Sequence, residues 1–155
     1  MKTLRIIGMA VVAVIMSVNF AACGDDDDDV NTADLVGLWE GVSSDYVEKA
    51  NGEVVYTDTD DLSDVRMKFN SDGTLVGYEK VNGVWIEEDY VATWTYKDGK
   101  LYATSEDAEN VIGNVIEVNS ERLVIGIHET ETEDGVKYEY QDTSTYKKVK
   151  EWYIQ

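Results

Sequence analysis

The chain is punctuated at short intervals by residue pairs that can turn a backbone back on itself. Asn51-Gly52, Asp72-Gly73, Asn82-Gly83, Asp98-Gly99 and Asp134-Gly135 each couple a side chain tolerant of left-handed geometry to a glycine. Set between runs of alternating polarity, such pairs are the strongest short-range signal for tight β-hairpins. Asn119-Ser120 adds a weaker turn. The intervening runs alternate as a half-buried strand requires, because successive side chains leave a strand on opposite sides. Val65, Met67 and Phe69 share one face, against Asp64, Arg66, Lys68 and Asn70 on the other. Tyr90, Ala92, Trp94 and Tyr96 alternate with Val91, Thr93, Thr95 and Lys97, and Leu123, Ile125 and Ile127 with Val124, Gly126 and His128. No segment carries a convincing 3.6-residue apolar period, and Ser105 to Asn110 is the one stretch where a helical turn fits.

Strands joined by tight turns lie antiparallel and adjacent, so the series builds a meander. A meander leaves two unpaired edges, and closure into a barrel removes them. The turns separate eight or nine strands between Leu35 and Val149. The expectation is an all-β domain over residues 35–149, an antiparallel up-and-down meander closed into a small barrel of about eight strands, with a short tail at 150–155. The 155 residues suit one such domain plus a leader, and an apolar fraction of 43% suffices for a core.

The leader reads as an export signal over residues 1–22. Lys2 and Arg5 precede a mostly apolar run from Ile6 to Val18, and Asn19-Phe20-Ala21-Ala22 then leads to Cys23. A basic start, a short apolar stretch and small residues before a cut site mark a secretory signal peptide. The run falls short of the roughly 20 apolar residues that span a bilayer. Ala21-Ala22-Cys23-Gly24 resembles the lipobox of bacterial lipoproteins, with Phe20 where Leu is usual. The resemblance implies lipidation of the Cys23 thiol and cleavage before it. Cys23 is the one cysteine, so no internal disulfide can form. Residues 23–34 then make a lipidated, acidic tether. Asp25 to Asp29 is a solvated spacer on its own terms. Acidic residues directly after the lipidated Cys also resemble the signal that sends lipoproteins of Gram-negative gut anaerobes to the cell surface. The expected address is the outer membrane, held by acyl chains on Cys23 and facing the surface; the periplasmic face is the alternative.

Charge narrows the partners. The chain carries 13 Lys+Arg against 32 Asp+Glu, and the two leader bases leave the rest still more acidic. Such a surface repels nucleic-acid phosphates and anionic headgroups. It complements a cationic partner, although acidity alone also serves solubility.

Catalytic and metal constellations are missing from the sequence. His128 is the one histidine, and its alternation opposite Ile125 and Ile127 turns it outward. One such His without a free Cys cannot build a zinc site of three or four ligands. Asp58 to Asp64 is rich in oxygen donors, but Ser63 stands where a calcium loop of the EF-hand kind needs Gly. The reading is a non-enzyme with no cofactor and no metal. Trp39, Trp85, Trp94 and Trp152 either fill the core or line a pocket, since an eight-stranded barrel is just wide enough for side chains or one small ligand.

Several pieces taken in order resemble the small lipocalin-like domains of bacterial surface lipoproteins. Leu35-Val36-Gly37-Leu38-Trp39 opens with Gly-x-Trp, and Met67-Lys68-Phe69-Asn70-Ser71-Asp72-Gly73-Thr74 follows. Ala92-Thr93-Trp94-Thr95-Tyr96 comes next with Asp98-Gly99-Lys100-Leu101, and Tyr146-Lys147-Lys148-Val149 closes the series. The likeness implies a lipocalin-like barrel in which Trp39 plugs one end. Lipocalins set an Arg against that Trp near the last strand; here Lys147 or Lys148 stands in its place. The usual long helix after the barrel and the usual disulfide are missing. Two functions are then in view. One is a membrane-anchored binder of a small apolar or amphipathic ligand, held against Met67, Phe69, Tyr90, Trp94, Ile125 and Ile127, with Ala92 leaving room. The other is an acidic interaction protein that docks or inhibits a cationic protein such as a lysozyme-like enzyme.

Overall fold

The structure, a computed structural model, describes residues 30–89, 92–105 and 108–150. Cys23, the leader, Tyr90 and Trp152 lie outside the described residues. A single helical turn, α1 (Thr32–Leu35), precedes β1 (Gly37–Ala50), β2 (Glu53–Asp61), β3 (Val65–Phe69), β4 (Thr74–Val81) and β5 (Val84–Glu87). Then come β6 (Ala92–Lys97), β7 (Lys100–Ser105), β8 (Ala108–Val118), β9 (Arg122–Glu133) and β10 (Val136–Val149).

Eight of these strands close a barrel. β1, β3, β4, β6, β7, β8, β9 and β10 pair antiparallel in that order, and β10 pairs back onto β1 from Leu38↔Val149 to Ala50↔Tyr138. The two remaining strands lengthen the wall. β3 pairs with Gly37–Glu40 of β1 and β2 with Ser43–Ala50, so β2 and β3 are one line broken at Leu62–Asp64. β6 and β5 likewise share β4, at Thr74–Leu75 and at Tyr78–Val81. The first break has a visible cause: a Cβ on buried Gly41 would lie 2.4 Å from the Leu62 carbonyl oxygen. Only glycine lets the chain fold in there, and Leu62 packs against the core.

The turns follow from their residues. Asn51, Asn82, Asp98 and Asp134 have φ near +50°, and the glycine after each is also positive. This double left-handed geometry suits the twist of a two-residue hairpin. Asp72-Gly73 differs: only Gly73 is left-handed, at φ +85°, and Gly73 N–H bonds back to the Asn70 carbonyl at 3.1 Å. Within Ser105 to Asn110, the one stretch where a helical turn fits the sequence, Ala108–Asn110 instead pairs with Ala103–Ser105. Strand pairing there satisfies backbone groups that one helical turn would leave open. The described helix is α1, whose Asn31 side chain accepts from Ala33 N–H at 3.1 Å.

Apolar side chains of α1 and the eight barrel strands meet inside the barrel. Leu35, Trp39, Met67, Phe69, Leu75, Ala92, Leu101, Leu123, Ile125 and Tyr146 form one buried cluster. On the outside, Arg66 is buried between Glu40, which accepts from its Nε at 2.8 Å, and the Trp85 ring, 3.9 Å from its guanidinium carbon. Lys147 reaches the other Glu40 oxygen at 2.8 Å. Burial raises the Glu40 pKa, but hydrogen bonds and charge from Lys147 and Arg66 outweigh it, holding the carboxyl below its usual value.

Candidate functional site

The barrel has two unlike ends. At one, Leu35 and Trp39 are fully buried, and Trp39 Nε1 donates to the Leu35 carbonyl at 2.8 Å. Lys148 lies over the Trp39 ring at 4.9 Å and donates to the Asp34 carbonyl at 3.1 Å. The cation against the plug is therefore Lys148, while Lys147 serves Glu40 on the outer wall. Trp94 donates to the Asn70 carbonyl at 3.0 Å and meets Phe69 edge to face at 5.4 Å. This end is filled.

Along β9 the seal gives way. The inward-facing Leu123, Ile125 and Ile127 are 0%, 3% and 40% exposed in turn. An inward isoleucine that meets solvent marks an open end. There β1, β2, β9 and β10 run past the rest of the barrel, and residues directly opposite one another share a face. Register sets Ile125, Ser144, Ser44 and Asp60 in one row, and Ile127, Asp142, Tyr46 and Asp58 in the next. Glu129, Tyr140, Glu48 and Tyr56 form the third row, and Glu131, Tyr138, Ala50 and Glu53 the fourth. The inner face thus changes from apolar to a rim of tyrosines and carboxylates.

The rim is tied together. Ser44 Oγ donates to Asp142 at 2.5 Å and lies 3.0 Å from Ser144 Oγ. Tyr46 and Tyr56 rings stand 6.0 Å apart, while Tyr138 and Tyr140 are stacked at 6.3 Å. The Tyr56 hydroxyl donates to Asp58 at 3.2 Å, and that of Tyr140 to Glu131. The Asp58 charge and hydrogen bond raise the Tyr56 pKa, and the Glu131 hydrogen bond, helped by burial and charge, raises that of Tyr140. For Tyr46 burial leads, followed by the charges of Glu48 and Asp142. All three phenols stay protonated at neutral pH, so ring faces and carboxylates present a negative surface that suits cations.

The sequence-derived residues divide between these ends. Met67, Phe69 and Ile125 come together in the buried cluster, and partly buried Trp94 packs against it. Ile127 stands apart at the rim, and Tyr90 lies outside the described residues. Ala92 is buried opposite Leu75. His128 pairs with Gln141 on the outer face, away from Ser44 and Asp142, so these three do not meet as a triad. Among the described residues no group of three or more His, Cys, Asp or Glu is placed to hold a metal ion, and no helix is long and apolar enough to cross a membrane. The rim tyrosines are the residues that sequence reasoning missed. Tyr138-x-Tyr140-x-Asp142-x-Ser144 does alternate, but only register shows that this face joins the barrel interior.

Comparison with known proteins agrees with this architecture. A family model described as a lipocalin-like domain matches residues 35–125. No curated protein and no solved structure matches the chain.

Proposed function

The chain belongs to the lipocalin-like domain family, and from that premise we propose that it is a lipid-anchored binding protein that takes a small amphipathic ligand at the open end of its barrel. The observation that carries this reading is the exposure gradient from Leu123 to Ile127. An apolar portion of the ligand would rest on Ile127 above the filled core. A polar or cationic head would lie among Tyr46, Tyr138, Tyr140 and the rim carboxylates. Ligand sites of this kind pair an apolar floor with a few placed polar groups. The filled closed end limits the depth of entry, so the ligand should be short.

Anchorage through Cys23 completes the reading. Ala21-Ala22-Cys23-Gly24 after an apolar run supports lipidation, and Asp25 to Asp29 supports export to the outer face of the outer membrane. Cys23→Ala should leave an unprocessed precursor that takes up no labelled palmitate; normal labelling would sink the anchor. Protease cleavage on intact cells separates surface from periplasmic display.

Calorimetric titration with short-chain alkyl ammonium, alkyl alcohol and alkyl carboxylate probes tests the site. The ammonium probe should bind most tightly, and replacing Tyr138 and Tyr140 with Ala should weaken it. Equal affinity for all three heads, or no binding of any, removes the rim as the site.

A further inference from the structure

We propose that β2 is a docking edge that takes a basic, extended segment of another protein as an added strand. All nine residues of β2 are exposed, and among the described strands it pairs with β1 alone. Its outer edge therefore offers a row of backbone donors and acceptors with no partner strand. Extended peptides bind such edges by continuing the sheet: the backbone supplies affinity, and alternate side chains supply specificity.

Natural edges are commonly defended by Lys, by Pro or by a covering element. The chain has no Pro, and β2 carries neither Lys nor Arg. Its defences are the bulge opposite Glu48 and Lys49, the Thr59 N–H held by Asp58 Oδ1 at 2.9 Å, and its carboxylates. Those carboxylates act selectively. Pairing with a second copy about Thr57 would set Glu53 against Asp61 and bring together two chains of net charge −19 each. A basic segment meets the opposite situation. Asp58 and Asp60 lie on the rim face with Tyr46, so Lys or Arg at alternate positions of the incoming strand would face them. Val54, Val55 and Tyr56, each more than half exposed, offer apolar contact at the other end of the strand.

The test uses the mature chain and a nine-residue peptide alternating Lys and Val, with two relatives N-methylated at either the odd or the even residues. Strand addition predicts binding of the parent peptide and slowed hydrogen exchange at Glu53–Asp61. One N-methylated relative, whichever set of donors faces β2, should bind at least about tenfold more weakly while the other binds nearly as well. Asp58→Asn with Asp60→Asn, exposed and nearly isosteric, should weaken binding without changing the tryptophan spectrum. Four results would overturn the proposal: no binding of the parent, equal binding of both methylated peptides, protection confined to β9 and β10, or self-association in place of peptide binding.

Discussion

Trp39 and Ile127 both face the interior of the same barrel, yet one is fully buried and the other is 40% exposed. Around Trp39, α1 folds across the opening, the indole is bonded to Leu35, and Lys148 covers its ring. Around Ile127 four strands outrun the rest, and their inner faces carry tyrosines and carboxylates in place of aliphatic side chains. Period-2 alternation runs through both ends. The difference lies in what is present to cover the inner face, so stability should concentrate at the closed end and recognition at the open one.

The comparison breaks first at Trp39. Trp39→Ala removes a fully buried indole and its hydrogen bond, and should cost about 3–5 kcal/mol in urea denaturation. A loss below about 1 kcal/mol would mean that the closed end is not where stability resides.

Tyr146 sharpens the boundary between the ends. It sits beside Gly41 and Leu123, one row below the serines, and burial pushes its phenol from 10.0 up to about 12. A raised folded-state pKa adds stability that is complete below pH 10 and lost as pH rises toward 12. The loss should be on the order of 2 kcal/mol, and Tyr146→Phe should flatten the stability profile over that alkaline window. An unchanged profile in that variant would place the row in contact with solvent.

The smallest effect on stability is expected at the rim. Tyr138 and Tyr140 are half-buried, so Tyr138→Ala and Tyr140→Ala should each cost about 1 kcal/mol, well below the loss at Trp39, while binding of the ammonium probe falls. A large stability loss there would make the tyrosines part of the structural core.

Much of this architecture is legible in the sequence. Four of the five Asn/Asp-Gly pairs adopt the geometry their chemistry favours, because the left-handed preference is local to two residues. The barrel followed from the number of hairpins and the need to remove free edges. The breaks at Leu62–Asp64 and between β5 and β6 were not legible. One depends on the close approach of Leu62 to Gly41, a contact that no period reveals. The six expected pocket residues were all drawn from apolar faces, which is why the described ones fall mostly in the filled core.

The sequence by itself determined the strands, the tight turns and which side chains share a face, since each is set by neighbours within a few positions. Only the tertiary structure decided that the face of Tyr138, Tyr140 and Asp142 continues the barrel interior, where the filled core ends and where the inner wall turns acidic. Tyr46 and Asp142 stand opposite each other because β10 returns to β1 and closes the barrel. Register between strands so distant in the chain is set by closure of the whole sheet rather than by any local preference.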